Sequence, residues 1–371
     1  MDGRPSISVI VPAFNARQTI VQTLASVAAQ TLADFEAIVV NDGSTDGTGD
    51  LAREFAMQHP QFRVIDKANS GVADARNAGI RAAQAPLLAA IDADDLWHPQ
   101  FLEKMSAALQ DGGPQAAFAY ASFRNIDLQG QVTGSAPIFE VAGRIFHQLL
   151  VRNFAGNGSG TMFWKEPAMN VGGYERRLHQ EFDAQGCEDW LFQLRLAQRW
   201  TVVAVPEYLV GYRSVPGAMS ANRLRMAFSR VRMLEIVLET IGDVHPKVWG
   251  DSMSFALTQL ARELALSGRQ REAARTLVRA LRLSISTPVL RGSRELLRIE
   301  GRRFLRWVAA CHDDLSPWQH RWQPPALSFV EFRPSEGKVP WGQCRADASL
   351  RRAAYVDRLS YRFVDDAPEA P

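Results

Sequence analysis

The sequence of 371 residues is poor in cysteine and has no long apolar run. Its three cysteines, Cys187, Cys311 and Cys344, lack metal-ligand spacing, and so few thiols indicate a reducing compartment. We expect no transmembrane helix, because no stretch of 18 uncharged apolar residues occurs. Strand-like residues begin at Ile7, close behind charged residues, which is not the pattern of a secretory signal peptide. These absences predict a cytoplasmic protein.

A large excess of charge of one sign is absent as well. The 42 lysines and arginines nearly balance the 40 aspartates and glutamates, which leaves a formal net charge of +2. This balance by itself argues neither for nor against a nucleic-acid partner, and we expect none. The apolar and charged fractions, 46% and 22%, are ordinary for a soluble protein, and the length allows more than one domain.

Two common phosphate-binding signatures are missing. Gly-x-Gly-x-x-Gly does not follow the first predicted strand, and Gly-x-x-x-x-Gly-Lys-Ser/Thr occurs nowhere in the chain. A dinucleotide-binding fold and a P-loop ATPase are therefore disfavoured.

Strands and helices alternate along the first hundred residues. Apolar runs predict strands at residues 7–12, 35–40, 62–66 and 87–91. Helical periodicity predicts helices at residues 16–30, up to about 58, and 72–83. Such alternation implies a parallel sheet covered on both faces. Later patterns predict a strand at 116–121, a polar hairpin at 123–133, a helix at 141–151, a flexible glycine-rich loop at 156–160 and a strand at 161–164.

Three carboxylates follow the fourth predicted strand directly. Asp92, Asp94 and Asp95 stand where this strand would leave the sheet, and open α/β sheets bind ligands outside the carboxyl ends of their strands. Clustered carboxylates repel one another unless a cation compensates them. Hard oxygen ligands of this kind suit Mg²⁺ or Mn²⁺ carried with a phosphate. A solvated acidic turn before the next helix is the alternative interpretation.

Other charged residues stand near neighbouring strand ends. Asp42 closes the second predicted strand, and Lys67 and Arg76 lie between it and the acidic cluster. These two cations could meet phosphates. For Arg76, a position on a helix surface is the alternative.

Residues 5 to 220 resemble the large family of inverting glycosyltransferases with the GT-A fold, often called family 2. Several short motifs carry the resemblance by their order and spacing. They are VIVPAFN at 9–15, VVNDGSTDGT at 39–48, NSG at 69–71, ARNAG at 75–79, IDADD at 91–95, VGGY at 171–174, EDW at 188–190, GYR at 211–213 and PGAMS at 216–220. The resemblance implies an α/β fold of GT-A type, with a Rossmann-like, mostly parallel sheet flanked by helices and a helical region after it.

The resemblance also implies a nucleotide-sugar site. Its implied residues are Pro12, Ala13, Phe14, Asn15, Asp42, Lys67, Gly71, Arg76, Asp92 and Ala93. Residues 12–14 would line the base, Asp42 would hydrogen-bond to it, and Asp92 would approach the ribose. Asp94 would bind the divalent metal, Mn²⁺ or Mg²⁺, that bridges the donor diphosphate. Candidates for contacts to the diphosphate, or for support of the metal ligand, are Asp95, Arg213 and Ser214.

On the acceptor side, the resemblance implies that Asp189 is a general base that deprotonates the acceptor hydroxyl. Glu188 would orient it or meet the acceptor. Without the family, the helix dipole would explain both carboxylates in the first turn of a helix. A base on the face opposite the leaving group activates the hydroxyl for attack from that face, and this attack inverts the configuration of the anomeric carbon. The implied reaction moves a sugar from a nucleoside-diphosphate sugar to a saccharide or glycolipid acceptor, in surface polysaccharide or glycolipid biosynthesis.

One departure from the family concerns the metal. Members often have a histidine ligand just before the proline–glycine pair, where this chain has Val215. Valine cannot bind a metal, so metal affinity is lower or a water or nearby carboxylate fills the position. A non-catalytic nucleotide-sugar or glycan-binding protein on the same fold is the alternative function. A polymerising synthase is disfavoured, because transmembrane helices and a Gln-x-x-Arg-Trp motif are missing.

Beyond residue 220 the resemblance fades and helical patterns dominate. Helices are predicted at 221–241, 248–267, 269–283 and 291–310. Between 262 and 306, 12 arginines accompany four glutamates. Residues 262–310 would then form either a peripheral contact with an anionic membrane, at the inner face of the cell membrane, or a solvated helical face.

We divide the chain into a glycosyltransferase domain at 1–220, a helical region at 221–310 and a Trp- and Pro-containing extension at 311–371. Within the first domain, about 1–115 would be the nucleotide-sugar half and 116–220 the acceptor half.

Overall fold

The computed structural model describes residues 4–184, 186–214, 221–283, 352–354, 356 and 357. Several predictions lie outside these residues: the motif at 216–220, the substitution at Val215, the helix at 291–310 and nearly all of the extension from 311.

The first part of the chain forms a parallel sheet. Its strands are β1 (Ile7–Ala13), β2 (Phe35–Asp42), β3 (Phe62–Lys67) and β4 (Leu87–Ala90). They pair in parallel in the order β3-β2-β1-β4, and helices connect them: α1 (Ile20–Ala28), α2 (Thr48–Gln58) and α3 (Val72–Ala82). All residues of β1, β2 and β4 are buried, as expected of parallel strands covered on both faces. The predicted alternation is confirmed.

The second part extends this sheet with strands of both directions. Its elements are β5 (Leu96–Trp97), α4 (Phe101–Asp111), β6 (Ala116–Ile126), β7 (Val132–Ser135), α5 (Phe146–Val151), a 3₁₀ turn (Gly158–Gly160), β8 (Thr161–Trp164), α6 (Lys165–Asn170), α7 (Arg177–Gln180), α8 (Glu188–Arg199) and β9 (Thr201–Arg213). The full order is β3-β2-β1-β4-β8-β6-β9-β5, with β7 on β6. β8 runs antiparallel to β4 and β6, whereas β6 and β9 are parallel.

Three expectations from the sequence were wrong in detail. The helix predicted from residue 16 begins at Ile20, because Ala16 and Thr19 form a hydrogen-bonded turn first. The helix predicted from 141 begins at Phe146, since Gly143 is in the left-handed region (φ 87°) and bridges to Val202. The glycine-rich loop expected to be flexible ends in the 3₁₀ turn, where Ser159 is completely buried.

Three further helices complete the described chain. They are α9 (Arg223–Thr240), α10 (Pro246–Leu266) and α11 (Gln270–Leu283), close to their predicted bounds. Leu234 of α9 and Leu257 of α10 share one hydrophobic core with Leu149 of α5 and Leu191 of α8. The helices therefore continue the core of the sheet. Across the described residues, no helix combines the length and the hydropathy needed to span a membrane.

Candidate functional site

A cavity of about 1610 Å³ opens at the carboxyl ends of β1, β2 and β4, and α8, α9 and α10 provide another part of its wall. Most of the predicted site residues line it. They are Pro12, Ala13, Phe14, Asn15, Asp42, Gly71, Arg76, Asp92, Ala93, Asp94, Glu188, Asp189 and Arg213. Three predicted residues do not line it: Lys67, Asp95 and Ser214. Residues more than 170 positions apart in sequence thus meet at one opening.

The turn after β1 presents its aromatic residue to the opening. Phe14 is 52% exposed, an unusual position for a phenylalanine that could otherwise be buried. Asn15 adopts a left-handed conformation, and its side chain accepts a hydrogen bond from the Thr45 amide (2.9 Å). Asn15 thereby joins the turn after β1 to the turn after β2, and this holds the Phe14 ring at the cavity.

At the end of β2, Asp42 is only 2% exposed and is held on several sides. Its carboxylate accepts hydrogen bonds from Lys67 Nζ (2.6 Å) and from the Gly71 amide (2.9 Å). Burial alone would lower the pKa of Lys67, but its bonds to Asp42 and Asp74 outweigh this and raise it. Lys67 therefore lies behind Asp42 as its counter-ion, and Asp42 is fixed at the cavity.

Gly71, at the start of α3, permits the close approach of α7 to this corner. Its φ is +91°, and a Cβ there would lie 2.7 Å from Cδ2 of His179. His179 also lines the cavity, and its Nδ1 is buried without a hydrogen-bond partner among the described residues. The corner thus brings one unpredicted polar side chain, His179, next to Gly71, whose amide donates to Asp42.

Gly71→Ala is expected to lower the free energy of unfolding more than Gly113→Ala does. Gly113 has a similar φ (+71°) but open space around a Cβ, so both variants carry backbone strain and only Gly71→Ala overlaps a ring. Overpacking of this kind costs about 1–3 kcal/mol, and urea unfolding of both variants measures the difference. Equal losses would show that His179 moves aside without cost.

Arg76 is the central ion of the site. The side chain is 2% exposed, donates from Nη2 to Asp92 and from Nη1 to Glu188 (3.1 Å), and lies 5.2 Å from the ring centroid of Tyr174. Gly158 leaves room for it, since a Cβ there would lie 2.7 Å from Nη2. Burial would lower the pKa of Arg76, but Asp92 and its other acidic neighbours raise it overall. Arg76 therefore connects the loop after β4 to the start of α8.

In the loop after β4, the carboxylate of Asp94 forms no ion pair with a described side chain. Among the described residues, no side chain donates a hydrogen bond to it, although its backbone carbonyl accepts one from Arg213 Nε. Burial, with the negative charge of Asp92, raises the pKa of Asp94 to about 6. A carboxylate with uncompensated charge at a cavity wall is the donor type that a hard divalent cation prefers.

Asp95 and Arg213 hold this loop in place. Asp95 is completely buried and accepts hydrogen bonds from Ser159 Oγ and from the Arg213 amide (2.9 Å). Arg213 Nη1 donates to the backbone carbonyls of Asp127 and Leu128, so its guanidinium is largely occupied by the protein. Ser214 is exposed beside it and donates its amide to the Ile126 carbonyl.

The first turn of α8 carries Glu188 and Asp189, the two carboxylates in the part of the cavity wall that α8, α9 and α10 provide. The preceding residue, Cys187, has φ 68°, and this left-handed step directs the chain into the helix. Burial, and next the charge of Glu188, raises the pKa of Asp189 to about 7. Its Oδ1 accepts a hydrogen bond from the Trp190 amide (2.7 Å). Asp189 is thus suited to exchange a proton near neutral pH.

Sequence reasoning missed several residues in and around the site. Ser159, His179 and Arg230 were not predicted, and Tyr174 was quoted only as part of a motif. The glycines around Ser159 were the one available signal, because close backbone approach requires them. Nothing in the local pattern distinguishes His179 or Arg230 from surface residues.

The chain was compared with known proteins at the level of families, sequences and structures. The family model described as glycosyl transferase family 2 matches residues 8–163. The first curated relatives are glycosyltransferases of Bacillus subtilis and Escherichia coli, 42%, 40% and 38% identical to this chain. These matches cover only 26%, 29% and 33% of the relatives' own lengths.

One relative is matched over most of its length. It is Bacillus subtilis TuaG, named for teichuronic acid biosynthesis, which is 28% identical over 225 residues that make up 60% of this chain and 85% of the relative.

Two solved structures share the fold. Staphylococcus aureus TarS 1-349 in complex with UDP is 16% identical, with a TM-score of 0.58 over 90% of this chain and 98% of that one. The mannosyltransferase PcManGT of Pyrobaculum calidifontis, in complex with GDP-Man and Mn²⁺, is 22% identical, with a TM-score of 0.53 over 85% and 88%. At such identities the likeness concerns the fold. Residues 8–163 therefore match glycosyl transferase family 2, and the chain has the GT-A fold.

Proposed function

We propose that this protein is an inverting glycosyltransferase that moves a sugar from a nucleoside-diphosphate sugar to a hydroxyl of a saccharide or glycolipid acceptor. One observation carries the proposal: a metal-type carboxylate, Asp94, and a carboxyl with a pKa of about 7, Asp189, line the same cavity. Metal binding and proton acceptance each need their own carboxylate, and this cavity has one for each.

The donor occupies the side of the cavity formed by β1, β2 and β4. Phe14 lies against the base, Asp42 accepts a hydrogen bond from it, and Asp92 meets the ribose. In support, the similar structures were solved with UDP and with GDP-Man. Lys67 and the Gly71 amide hold the Asp42 carboxylate in position, so the base meets a preorganised acceptor.

The donor set of the cavity fits a divalent metal. Asp94 would hold Mn²⁺ or Mg²⁺ together with phosphate oxygens of the donor, and one solved structure of this fold contains Mn²⁺. Among the described residues there is no group of three metal-binding side chains, so the donor would supply much of the coordination. Bound there, the metal stabilises negative charge on the departing nucleoside diphosphate. Asp95 and Arg213 keep the loop of Asp94 in position.

The acceptor approaches from the start of α8. Asp189 takes the proton of the acceptor hydroxyl. At the same time the hydroxyl oxygen attacks the anomeric carbon, and the bond from that carbon to the diphosphate breaks. Attack from the face opposite the leaving group inverts that carbon. Glu188 pairs with Arg76, and its charge raises the pKa of the Asp189 carboxyl, which makes that carboxylate a better proton acceptor.

The setting we propose is surface polysaccharide or glycolipid biosynthesis, supported by the name of TuaG. A cytoplasmic location and a peripheral membrane contact through 262–310 stay predictions, because residues 284–310 lie outside the part that the structure describes. The three-part division of the chain also stays a prediction.

The experiment that tests the proposal measures release of nucleoside diphosphate from a panel of nucleotide sugars, with and without Mn²⁺. We expect turnover of one donor that increases with Mn²⁺. A donor that binds tightly but is neither hydrolysed nor transferred would favour the non-catalytic binding protein instead.

Asp42→Ala is expected to raise the Michaelis constant of the donor more than it lowers kcat. The variant loses a hydrogen bond to the base, worth about 0.5–1.5 kcal/mol, and leaves Lys67 paired with Asp74 alone among the described carboxylates. Steady-state kinetics with varied donor measures this split. Asp66→Ala is the matched control, since Asp66 also lies on a strand end and pairs with Arg53 outside the cavity. An unchanged Michaelis constant in Asp42→Ala would remove Asp42 from the base site.

A further inference from the structure

Three arginines line the helical side of the cavity: Arg223 and Arg230 of α9 and Arg262 of α10. We call these three residues the basic wall. Among the cavity-lining residues of α9 and α10 in the described chain, Glu263 is the single carboxylate, and it pairs with Arg262 (2.9 Å). The wall therefore carries an excess of positive charge, in contrast to the carboxylates near β2, β4 and α8.

Arg230 has no carboxylate partner among the described residues. Its Nη1 donates to Gln259 Oε1 (3.0 Å) and its Nη2 to the Val151 carbonyl (3.3 Å), while its buried Nε has no hydrogen-bond partner. The guanidinium lies 4.8 Å from the ring centroid of Trp190 and 4.9 Å from that of Phe255. Burial lowers the pKa of Arg230 to about 10. A desolvated cation without a counter-ion is costly to the fold unless a ligand uses it.

The other buried arginines of the cavity do not share this state. Arg76 is neutralised by Asp92 and Glu188, and Arg213 donates to backbone carbonyls and to Gln22. Arg230 is thus the half-buried arginine of the cavity for which the described residues supply no carboxylate.

The basic wall adjoins the first turn of α8. Ser229 Oγ donates to the Gly186 carbonyl (3.0 Å), and a Cβ at Gly186 would lie 2.5 Å from the sulfur of Met226. These contacts fix α9 against the segment that leads into α8. Trp190, beneath the Arg230 guanidinium, directly follows Asp189. A ligand group at Arg230 would therefore lie on the acceptor side.

We propose that the basic wall binds an acidic group, a phosphate or a carboxylate, of the acceptor. The inference rests on the proposed function, which puts the acceptor at Asp189. Guanidinium groups bind both kinds of oxyanion through paired N–H donors, and the exposed Arg223 on the same helix as the half-buried Arg230 gives such a group a polar entrance.

The test compares three sugars that differ in one group: glucose, glucose 6-phosphate and glucuronic acid. Calorimetry measures their binding to the full chain saturated with UDP and Mn²⁺, so that the donor side is occupied. We expect an acidic sugar to bind at least about tenfold tighter than glucose, the range of one charge-assisted hydrogen bond. Comparing glucose 6-phosphate with glucuronic acid shows which oxyanion is preferred. Arg230→Met and Arg223→Gln should each reduce this advantage.

Matched controls separate the outcomes. Arg275→Met, at an exposed position of α11 outside the cavity, should keep the preference, and Arg230→Lys should keep part of it if Arg230→Met fails to fold. Equal binding of all three sugars to the wild type would overturn the basic wall. So would a loss of UDP affinity in Arg230→Met, which would assign this arginine to the donor. If the wild type binds no nucleotide, the proposed function is contradicted instead. The affinities of the three sugars measured without UDP then still test the basic wall.

Discussion

Asp189→Asn is expected to abolish sugar transfer while donor binding stays intact. The amide keeps the shape of the side chain and an oxygen for the Trp190 amide, but it cannot accept the proton of the acceptor hydroxyl. Loss of a general base typically lowers the rate by about 10²- to 10⁴-fold. Donor affinity should survive, because Asp42 and Asp94 belong to other loops.

The measurement pairs calorimetry of donor binding with the rate of transfer, or of nucleoside diphosphate release, on the wild type, Asp189→Asn and Glu188→Gln. Glu188→Gln should be milder, since glutamine retains an oxygen for Arg76 Nη1. A wild-type rate in Asp189→Asn would place the base elsewhere, with Glu188, which lines the same cavity, next to test. Loss of donor binding would assign Asp189 to the nucleotide or metal site.

The pH dependence of the wild type is part of the same experiment. Because burial and Glu188 raise the pKa of Asp189 to about 7, the carboxyl is protonated and inactive below that pH. The ratio kcat/KM should therefore rise as pH increases through about 7 and level off above it. The residual rate of Asp189→Asn should lack this step. A wild-type profile that is flat between about pH 5 and about pH 9 would contradict the assignment.

Asp94→Ala is expected to remove most metal-dependent binding of the donor diphosphate and most activity. Since no group of three metal-binding side chains occurs among the described residues, Asp94 would be the principal protein ligand. A metal ion supplies several kcal/mol of charge stabilisation to the leaving group, so activity should fall by about 100-fold or more.

Nucleotide affinity measured in Mn²⁺ and in EDTA isolates this effect. The wild type should bind more tightly in Mn²⁺, and Asp94→Ala should show little difference between the two conditions. Asp50→Ala, which removes an exposed carboxylate of α2 paired with Arg53, is the control for a general change in charge. Wild-type kinetics of Asp94→Ala at saturating metal would rule out the metal role.

The local elements around the donor side were predictable from sequence. The strands β1, β2 and β4 are short apolar runs buried on both faces, and that pattern is local and needs no partner to be recognised. The polar residues that end them, Asp42 and Asp94 among them, meet at one edge because parallel strands all end there. Their roles came from the resemblance to a family, and the structure adds their positions at one cavity.

Strand β9 shows where the local pattern failed. Its 13 residues alternate irregularly between buried and half-buried positions, and its pairing with β6 shifts register near Ala121 and Ser122. Without a period of two the segment does not read as a strand. Only pairing with β6 on one side and β5 on the other defines it, and this pairing brings Arg213 to the loop of Asp94.

The chain by itself determined the alternation of strands and helices in the first hundred residues and the polar residues that follow the strands, because hydrophobic period and glycine act over a few residues. Tertiary structure alone decided which charges meet. Arg76 reads as a surface cation, yet it is buried between Asp92 and Glu188, which lies 112 residues away. Arg230 reads as one of many arginines on a helix, yet packing of α9 against Trp190 separates it from any carboxylate of the described chain. Burial and pairing depend on how distant elements pack, and no local pattern records that.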